Sequence, residues 1–242
     1  MQILVEDFIP GAEVAVEGIM AAGRLRVLAI FDKPDPLDGP FFEESIYVTP
    51  SRHPGPTCGA IEAETARAVQ ALGLREGPVH AELRLNERGA WILEVAPRSI
   101  GGLCSRALRF VEGGATLSLE ELILRQALGL DTDSVGRETL ASGVMMIPVP
   151  QAGILRGVGG QDAARAVTGI EDLRVTTALG DEVLPAPEGF RYLGFLFARG
   201  GTPAEVETAL RAAHATLRID IEPRTPAGGE APQTLVANRR PR

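Results

Sequence analysis

Residues 79–96 predict a β-hairpin with one apolar and one polar face. Before the turn at residues 86–89, odd positions are apolar and even positions are polar, namely Ala81, Leu83 and Leu85 against His80, Glu82 and Arg84. Such alternation is typical of a strand that is solvated on one side. Gly89 supplies the left-handed conformation that a three-residue loop needs, and this loop pairs Asn86 with Ala90.

This register separates the two faces of the hairpin. Apolar residues meet across the strands, so that Leu85 faces Trp91, Leu83 faces Leu93 and Ala81 faces Val95. On the other face Glu82 lies directly opposite Glu94. A two-residue loop would shift the pairing by one position and mix the faces, so the pattern favours the longer loop.

The facing carboxylates of Glu82 and Glu94 repel each other unless something compensates their charge. Water can solvate the face, an arginine can neutralise the pair, or a divalent cation can bridge it. Mg²⁺ takes oxygen ligands and commonly binds one or two carboxylates together with substrate phosphates. By itself the pair is more typical of a solvated strand face.

Arg98 and the pair Gly101-Gly102 follow the second strand closely. Arginine is suited to holding a phosphate or an acyl phosphate, and a double glycine lets backbone amides approach a bound anion. Carboxylates, an arginine and a glycine turn within about twenty residues are what metal-assisted phosphoryl transfer requires. The glycine pair alone fits an ordinary tight turn equally well.

Composition excludes several classes of function. The chain has 242 residues, of which 45% are apolar and 23% charged, as in a soluble globular protein. Its formal net charge of −8 argues against a nucleic-acid partner and against an anionic membrane surface. Two cysteines form no disulfide framework and no zinc spacing, so we expect a reducing cytoplasm. Lys33 is the only lysine, and chemistry that needs a second lysine must come from elsewhere.

The order of strands, turns and helical patterns predicts an α+β fold in two parts. We expect an antiparallel sheet with flanking helices over residues 1–130 and a linker over residues 131–138. A smaller α/β lobe is expected over residues 137–222, and a disordered tail over residues 223–242. Strands are expected at 2–9, 13–20, 25–31 and 41–48, among others. Ser118 with Glu121, and Thr202 with Glu205, form capping boxes that open two helices.

The hairpin resembles the metal-binding end of ATP-grasp enzymes, through the residues His80-Ala81-Glu82, Glu94-Val95-Ala96-Pro97-Arg98 and Gly101-Gly102. Upstream, residues 5–13 (VEDFIPGAE) resemble the segment with which those enzymes hold adenine and ribose. Residues 143–221 resemble the C-terminal domain of L-amino-acid ligases and related carboxylate–amine ligases. The resemblance thus covers residues 5–221.

This resemblance implies a role for each matching residue. At the nucleotide, Glu6 and the backbone of Asp7 and Phe8 would meet the adenine edge, and Glu13 would hold the ribose hydroxyls. At the metal, Glu82 and Glu94 would coordinate Mg²⁺ or Mn²⁺, with Glu94 bridging two ions. At the substrate, Arg98 would bind the transferring phosphoryl group or the substrate carboxylate beside Gly101 and Gly102. Glu44 would hold the substrate amine, although a solvated strand position explains it equally well.

The implied reaction is an ATP-dependent ligation. A carboxylate, expected to be that of an amino acid, would attack the γ-phosphate of ATP to give an acyl phosphate and ADP. An amine would then displace phosphate and form an amide. The implied partners are therefore a small carboxylate and a small amine, with neither nucleic acid nor membrane.

The sequence departs from the family in two places. Ala96 stands where many ATP-grasp enzymes have an asparagine as a third metal ligand. The family also has an N-terminal domain and a lysine-bearing subdomain before the adenine segment, and we expect both to be truncated or supplied by a separate chain. Lys33, expected in a loop after that segment, does not replace those lysines. Two alternatives stay open: a carboxylase or phosphoribosyl-type ATP-grasp enzyme, and a non-catalytic fragment that acts as an assembly partner.

Overall fold

The structure is a computed structural model that describes residue 3 and residues 5–36, 44–189 and 191–223. Its first part consists of strands around one long helix. The strands are β1 (Ala12–Ala21), β2 (Arg24–Asp32), β3 (Ile46–Thr49), β4 (Gly77–Asn86) and β5 (Gly89–Ala96), and the helix between β3 and β4 is α1 (Gly55–Ala71). The strands predicted over residues 13–20 and 25–31 are present as the antiparallel pair β1 and β2.

The remaining elements follow a short 3₁₀ helix over Cys104–Ala107. The strands are β6 (Phe110–Glu112), β7 (Ala115–Leu117), β8 (Gly136–Arg137), β9 (Ala141–Ile147), β10 (Gly153–Gly159), β11 (Ile170–Val175), β12 (Glu182–Val183), β13 (Gly194–Gly200) and β14 (Arg218–Glu222). The helices are α2 (Leu119–Ala127), α3 (Gln161–Arg165) and α4 (Pro203–Thr216).

Eight of the described strands form one antiparallel sheet that crosses the predicted domain boundary. Their order is β11-β13-β9-β3-β2-β1-β4-β5. Strand β9, from the second part, pairs with β3 from the first, with Ile46 opposite Met145 and Thr49 opposite Ser142. The two parts therefore share backbone hydrogen bonds, and one sheet runs through both.

Both faces of this sheet are covered by apolar packing. On one face, Ile61 of α1 packs against Val14, Val16 and Leu83, all of them buried. Helix α4 covers β9 and β13 with its buried residues Val206, Ala209, Leu210 and Ala213. The opposite face packs against the segment around Cys104 and Leu122, and this cluster includes Ala15 of β1. The alternate residues of β1 and β4 on that opposite face carry the candidate site.

The β4–β5 hairpin differs from its predicted register near the turn. Asn86 pairs with Gly89, so the loop has two residues, and Leu83 faces Ile92. A bulge then restores the predicted register, in which Glu82 faces Glu94. The side chain of Asn86 explains the shorter turn, because its Oδ1 accepts a hydrogen bond from the backbone N–H of Arg88 at 3.0 Å. The predicted loop was wrong, whereas the predicted facing of the two glutamates is confirmed.

Other predicted elements are also corrected. Within residues 2–9 the described residues form no strand, because strand β1 begins only at Ala12. The strand predicted over residues 41–48 is observed as Ile46–Thr49, and residues 41–43 lie outside the described residues. The linker predicted over 131–138 contains β8, which pairs Arg137 with Phe110. The predicted disordered tail lies outside the described residues from 224 onward.

In both predicted capping boxes, the hydrogen bond from the backbone N–H to the hydroxyl oxygen of the cap residue is confirmed. Ser118 Oγ accepts a hydrogen bond from the N–H of Glu121 at 3.1 Å, and Thr202 Oγ1 accepts one from Glu205 at 3.3 Å. Glu205 Oε2 in turn accepts from the N–H of Gly201, one residue before the cap. Among the described residues, each helix falls short of the length and apolarity that crossing a membrane requires.

Candidate active site

The candidate site is built on the polar face of the paired strands β1 and β4. Cross-strand pairing sets Glu13 opposite Arg84, Ala15 opposite Glu82 and Glu17 opposite His80. Side chains of directly paired residues share a face. Two rows of charged residues therefore lie side by side, with only Ala15 between Glu13 and Glu17.

Lys33 lies at the centre of this face, although the sequence placed it in an unrelated loop. Its Nζ donates to Glu13 at 2.6 Å, to Glu44 at 2.5 Å and to Glu82 at 2.9 Å. Its side chain is only 3% exposed. Burial disfavours the ammonium, but the charges of the three carboxylates outweigh burial and raise the pKa of Lys33.

The register of the first hairpin explains this position. Val14 pairs with Asp32 at the end of β2, and the N–H of Lys33 donates to the carbonyl of Glu13 at 3.2 Å. Lys33 therefore extends the direction of β2 by one residue and lies opposite Glu13. A bulge between Glu17 and Gly18 sets this register, because without it Glu13 would lie opposite Asp32. The alternation of the two strands therefore did not reveal the position of Lys33.

His80 links two carboxylates on the same face. Its Nδ1 contacts the buried Glu17, and its Nε2 lies 3.3 Å from Glu82 Oε1. Burial would lower the pKa of His80, but the hydrogen bonds to both glutamates outweigh it and raise the pKa to about 9. Burial raises the pKa of Glu17, which His80 and the N–H of Ile100 oppose by bonding to its ionised form. His80 is therefore a structural cation at neutral pH, and Glu17 is a site residue that the sequence did not reveal.

The contacts to the carboxylate of Glu82 all involve one of its two oxygens. Lys33, His80 and the hydroxyl of Tyr47 all lie at Oε1, and no residue in the described part of the chain donates to Oε2. Burial would raise the pKa of Glu82, but the bond from His80 and the charge of Lys33 lower it to about 2. Glu82 is thus ionised and keeps one oxygen for a further ligand.

Glu94 faces Glu82 from the neighbouring strand and is open to solvent. Its side chain is 59% exposed, and its Oε1 lies 3.7 Å from a guanidinium nitrogen of Arg98. Two carboxylates on one face, one with an unengaged oxygen and the other accessible, suit a hard divalent cation. A tighter group of carboxylates consists of Glu13, Glu44 and Glu82, whose oxygens lie within 4.8 Å of one another. Lys33 occupies that group.

A cavity of about 230 Å³ opens beside Glu82. Its polar lining includes Glu44, His80, Glu82 and Arg98 together with Gly101 and Gly102, and its apolar lining includes Tyr47, Ile100, Cys104, Met146, Tyr192 and Phe195. Of the predicted substrate and catalytic residues, only Glu94 is outside this lining. Burial raises the pKa of the Cys104 thiol to about 12, which disfavours its thiolate form.

The predicted adenine segment borders a second, open cavity of about 500 Å³. Residues 6–10 form one wall, and residues of the β4–β5 hairpin, including Asn86 and Trp91, form the other. Arg84 joins the walls: its guanidinium donates to the carbonyl of Ile9 at 2.7 Å and stacks on the ring of Phe8 at 4.9 Å. Glu13, the predicted ribose ligand, is buried between Lys33 and Arg84 and is not among the described residues that line this cavity.

Known sequence families match consecutive parts of the chain. The ATP-grasp domain family matches residues 1–107, and the L-amino acid ligase C-terminal domain 2 family matches residues 145–222. The chain is thus similar to an ATP-grasp domain in its first part and to an L-amino acid ligase C-terminal domain in its second part. The resemblance drawn from residues 5–13, 80–102 and 143–221 is therefore confirmed.

Solved structures confirm the mixed α+β fold with its antiparallel sheet. L-amino acid ligase from Bacillus licheniformis matches with a TM-score of 0.76 and 28% identity, over 89% of this chain and 53% of that chain. Phosphoribosylglycinamide synthetase from Anaerococcus prevotii matches with a TM-score of 0.70 and 15% identity, over 89% of this chain and 55% of that chain. At that identity, the second match shows the fold alone.

A curated protein is also similar to this chain. Carnosine synthase 1 of Gallus gallus is 31% identical over 159 residues, which are 64% of this chain and 17% of that protein. The chain therefore spans a small fraction of this relative and 53% of the Bacillus licheniformis ligase.

Proposed function

We propose that this chain is the C-terminal part of an ATP- and Mg²⁺-dependent ligase that joins a carboxylate, that of an amino acid, to an amine through an acyl phosphate. The observation that carries the proposal is the 230 Å³ cavity, in which Arg98, Glu82 and Glu44 share one lining. An arginine, a metal-binding carboxylate and an amine-binding carboxylate are the groups that this reaction needs. The similarity to an L-amino acid ligase and to carnosine synthase supports the same chemistry.

In this proposal the nucleotide lies across the polar face. Glu6 and the backbone of Asp7 and Phe8 contact adenine in the open cavity, and Glu13 approaches the ribose. Glu82 and Glu94 hold the divalent cation, which when bound neutralises phosphate oxygens. A partner half, in the same or another chain, supplies the lysines that grip the phosphates.

The substrates meet in the smaller cavity. An oxygen of the substrate carboxylate attacks the γ-phosphorus, the bond to ADP breaks, and Arg98 stabilises charge on the transferred group. The amine nitrogen then attacks the acyl carbon, phosphate leaves, and Glu44 takes the proton that the amine loses. Gly101 and Gly102 allow backbone amides to approach the acyl phosphate, and Gly102 already lies in the left-handed region at a φ of 61°.

The decisive experiment replaces the two exposed polar groups of the site in the complete enzyme. We expect Glu94→Gln or Arg98→Ala to reduce amine-dependent ADP release by about a hundredfold or more, because each removes charge stabilisation that operates in the transition state. Glu64→Gln on α1 and Arg156→Ala on β10 are matched controls far from the cavity. Unchanged turnover in Glu94→Gln or in Arg98→Ala would refute the proposal.

A further inference from the structure

We propose that the ammonium of Lys33 is a built-in cation that fills the group of Glu13, Glu44 and Glu82 and so excludes a metal ion from it. Lys33 is thereby a positioning residue: it holds Glu44 for the amine and directs metal binding to the free oxygen of Glu82. The positioning role rests on the proposed function. The exclusion of metal from the three carboxylates does not depend on it.

The hydrogen-bond geometry of Lys33 is complete. An ammonium group has three N–H donors, and Lys33 has three carboxylate acceptors at 2.5–2.9 Å, one each from Glu13, Glu44 and Glu82. The ring of Tyr47 covers another side, with its centroid 5.0 Å from Nζ. The group therefore has the ligand set and enclosure of a cation site, and its cation is tethered to the chain.

Charge balance explains why these three carboxylates tolerate one another. Glu13 also accepts from the buried Arg84 at 3.1 Å, and Glu82 also meets His80. Only Glu44 depends on Lys33 as its sole cationic partner among the described residues. Without Lys33, three oxygens within 4.8 Å of one another would carry net negative charge, the condition in which carboxylates recruit a divalent cation.

The shape of the ammonium explains why this basic residue is a lysine. The other 23 of the 24 lysine and arginine residues are arginine. Arginine presents its donors as a planar fork, which suits one carboxylate held by two bonds but not three carboxylates in different directions. A compact ammonium with three rotatable donors matches the arrangement around Lys33.

The test measures metal binding rather than activity. Mn²⁺ is titrated into the nucleotide-free complete protein, with bound ion followed by electron paramagnetic resonance and the melting temperature followed in parallel. All variants carry Glu94→Gln, so that the proposed catalytic metal site does not contribute. We expect Lys33→Met to bind one Mn²⁺ at least about tenfold more tightly than the parent, because three carboxylate ligands are freed, and to gain melting temperature with Mn²⁺. Lys33→Arg, which keeps the charge, should show neither effect.

The outcome is decided even when Lys33→Met folds poorly. Adding Glu44→Gln to Lys33→Met removes one charge from the group, and this double variant should fold more readily and lose the gained affinity. In the protein with native Lys33, Mn²⁺ binding that Glu13→Gln or Glu44→Gln weakens would show that the group is already a metal site. That result, or a Lys33→Met variant that folds without gaining Mn²⁺ affinity, would overturn the proposal. If the proposed ligase function is wrong, the Glu94→Gln variant of the complete enzyme will instead release ADP at the unchanged rate.

Discussion

The indole of Trp91 lies on the polar face of the β4–β5 hairpin, because Trp91 pairs with Arg84. The alternation of apolar and polar residues in the sequence had predicted that Trp91 lies on the apolar face with Leu93. The bulge reverses this arrangement: Leu93 is 38% exposed, while Ile92 takes the position facing Leu83 in the core. A single extra residue thus moves an aromatic ring from the core to the wall of the open cavity.

This placement makes Trp91 a reporter of nucleotide binding. The chain contains no other tryptophan, and its indole N–H donates to Asn86 in the wall of the proposed adenine cavity. We expect Mg²⁺-ATP to change the emission of Trp91, because an adenine ring close to an indole alters its surroundings. The measurement is a fluorescence titration beside equilibrium dialysis with labelled ATP.

Trp91→Phe provides the matched control for that titration. It keeps an aromatic ring in the cavity wall but should abolish the emission change, which assigns the signal to residue 91. Saturable ATP binding in the dialysis, accompanied by constant emission from Trp91, would place adenine elsewhere.

Among the elements, the approach of residues 6–10 to strand β4 depends on Gly11. Its φ is 132°, and a Cβ at this position would lie 2.0 Å from the carbonyl oxygen of Leu85. Asn86 also donates to the carbonyl of Pro10 at 3.0 Å. The predicted adenine segment is therefore fixed to the end of β4 by a close backbone crossing that only glycine fits.

Gly11→Ala should accordingly loosen this crossing. We expect the free energy of unfolding to fall by about 1–3 kcal/mol, because the methyl group combines a clash with a strained backbone. The apparent KM for ATP of the complete enzyme should rise with little change in kcat. Urea unfolding and steady-state kinetics measure the two effects.

Gly59→Ala is the control for this substitution. Gly59 lies exposed on α1 with nothing within 4 Å of its would-be Cβ, so alanine should leave stability unchanged or raise it by about 0.5–1 kcal/mol. Equal stability of Gly11→Ala and the parent would show that the crossing is not tight in solution.

The sequence predicts those features of the site that depend on residues close together in the chain, and it misses those that depend on distant residues. The facing of Glu82 and Glu94 depends on one hairpin, and local alternation sufficed to find it. The two-residue turn was missed because the side chain of Asn86, rather than the apolar period, selects it. Lys33 was missed because its position depends on the bulge between Glu17 and Gly18, which shifts the pairing of β1 with β2 by one residue. Strand pairing between residues 46 and 145 leaves no periodic signal in either strand, so the continuous sheet was beyond reach.

Across the whole molecule, arginines connect α4 to the end of β2 and the loop after it. Arg52 bridges Asp32 at 3.1 Å and Glu207 at 2.8 Å, and Arg211 bridges Asp35 at 2.5 Å and Glu207 at 2.8 Å. Helix α4 lies in the part of the chain that matches the L-amino acid ligase C-terminal domain family, whereas Asp32 and Asp35 lie in the part that matches the ATP-grasp domain family. These ion pairs therefore connect the two matched parts alongside the shared sheet.

The ion pair between Asp35 and Arg211 makes this connection depend on pH. Burial favours its neutral form, but hydrogen bonds from Arg211 and Ser45 outweigh burial and lower its pKa below the usual 3.8. A carboxyl whose pKa is lowered on folding adds stability above its unfolded pKa and loses it as the pH falls through the folded one. We expect Asp35→Asn to lower the free energy of unfolding by up to about 1 kcal/mol at pH 7, and the deficit to shrink below pH 3.8.

Urea unfolding at a series of pH values between neutrality and about pH 3 measures this deficit. Asp162→Asn is the control, because that side chain is fully exposed on α3 and contacts Arg165 only at 3.9 Å. A deficit that stays constant down to the lowest pH would contradict the assigned role of the Asp35 carboxylate.

The pairing of β3 with β9 sets a condition for exchanging the second part of this chain with that of a similar protein. Exchanging the predicted second lobe, residues 137–222, also exchanges β9, which contributes its residues 142–145 as the ladder partner of residues 46–49 in the retained part. A chimera must therefore match this ladder as well as the cavity, and a protein cut near residue 130 would expose β3 as an unpaired edge prone to aggregation. Grafts that carry β3 together with the C-terminal domain should be the soluble ones.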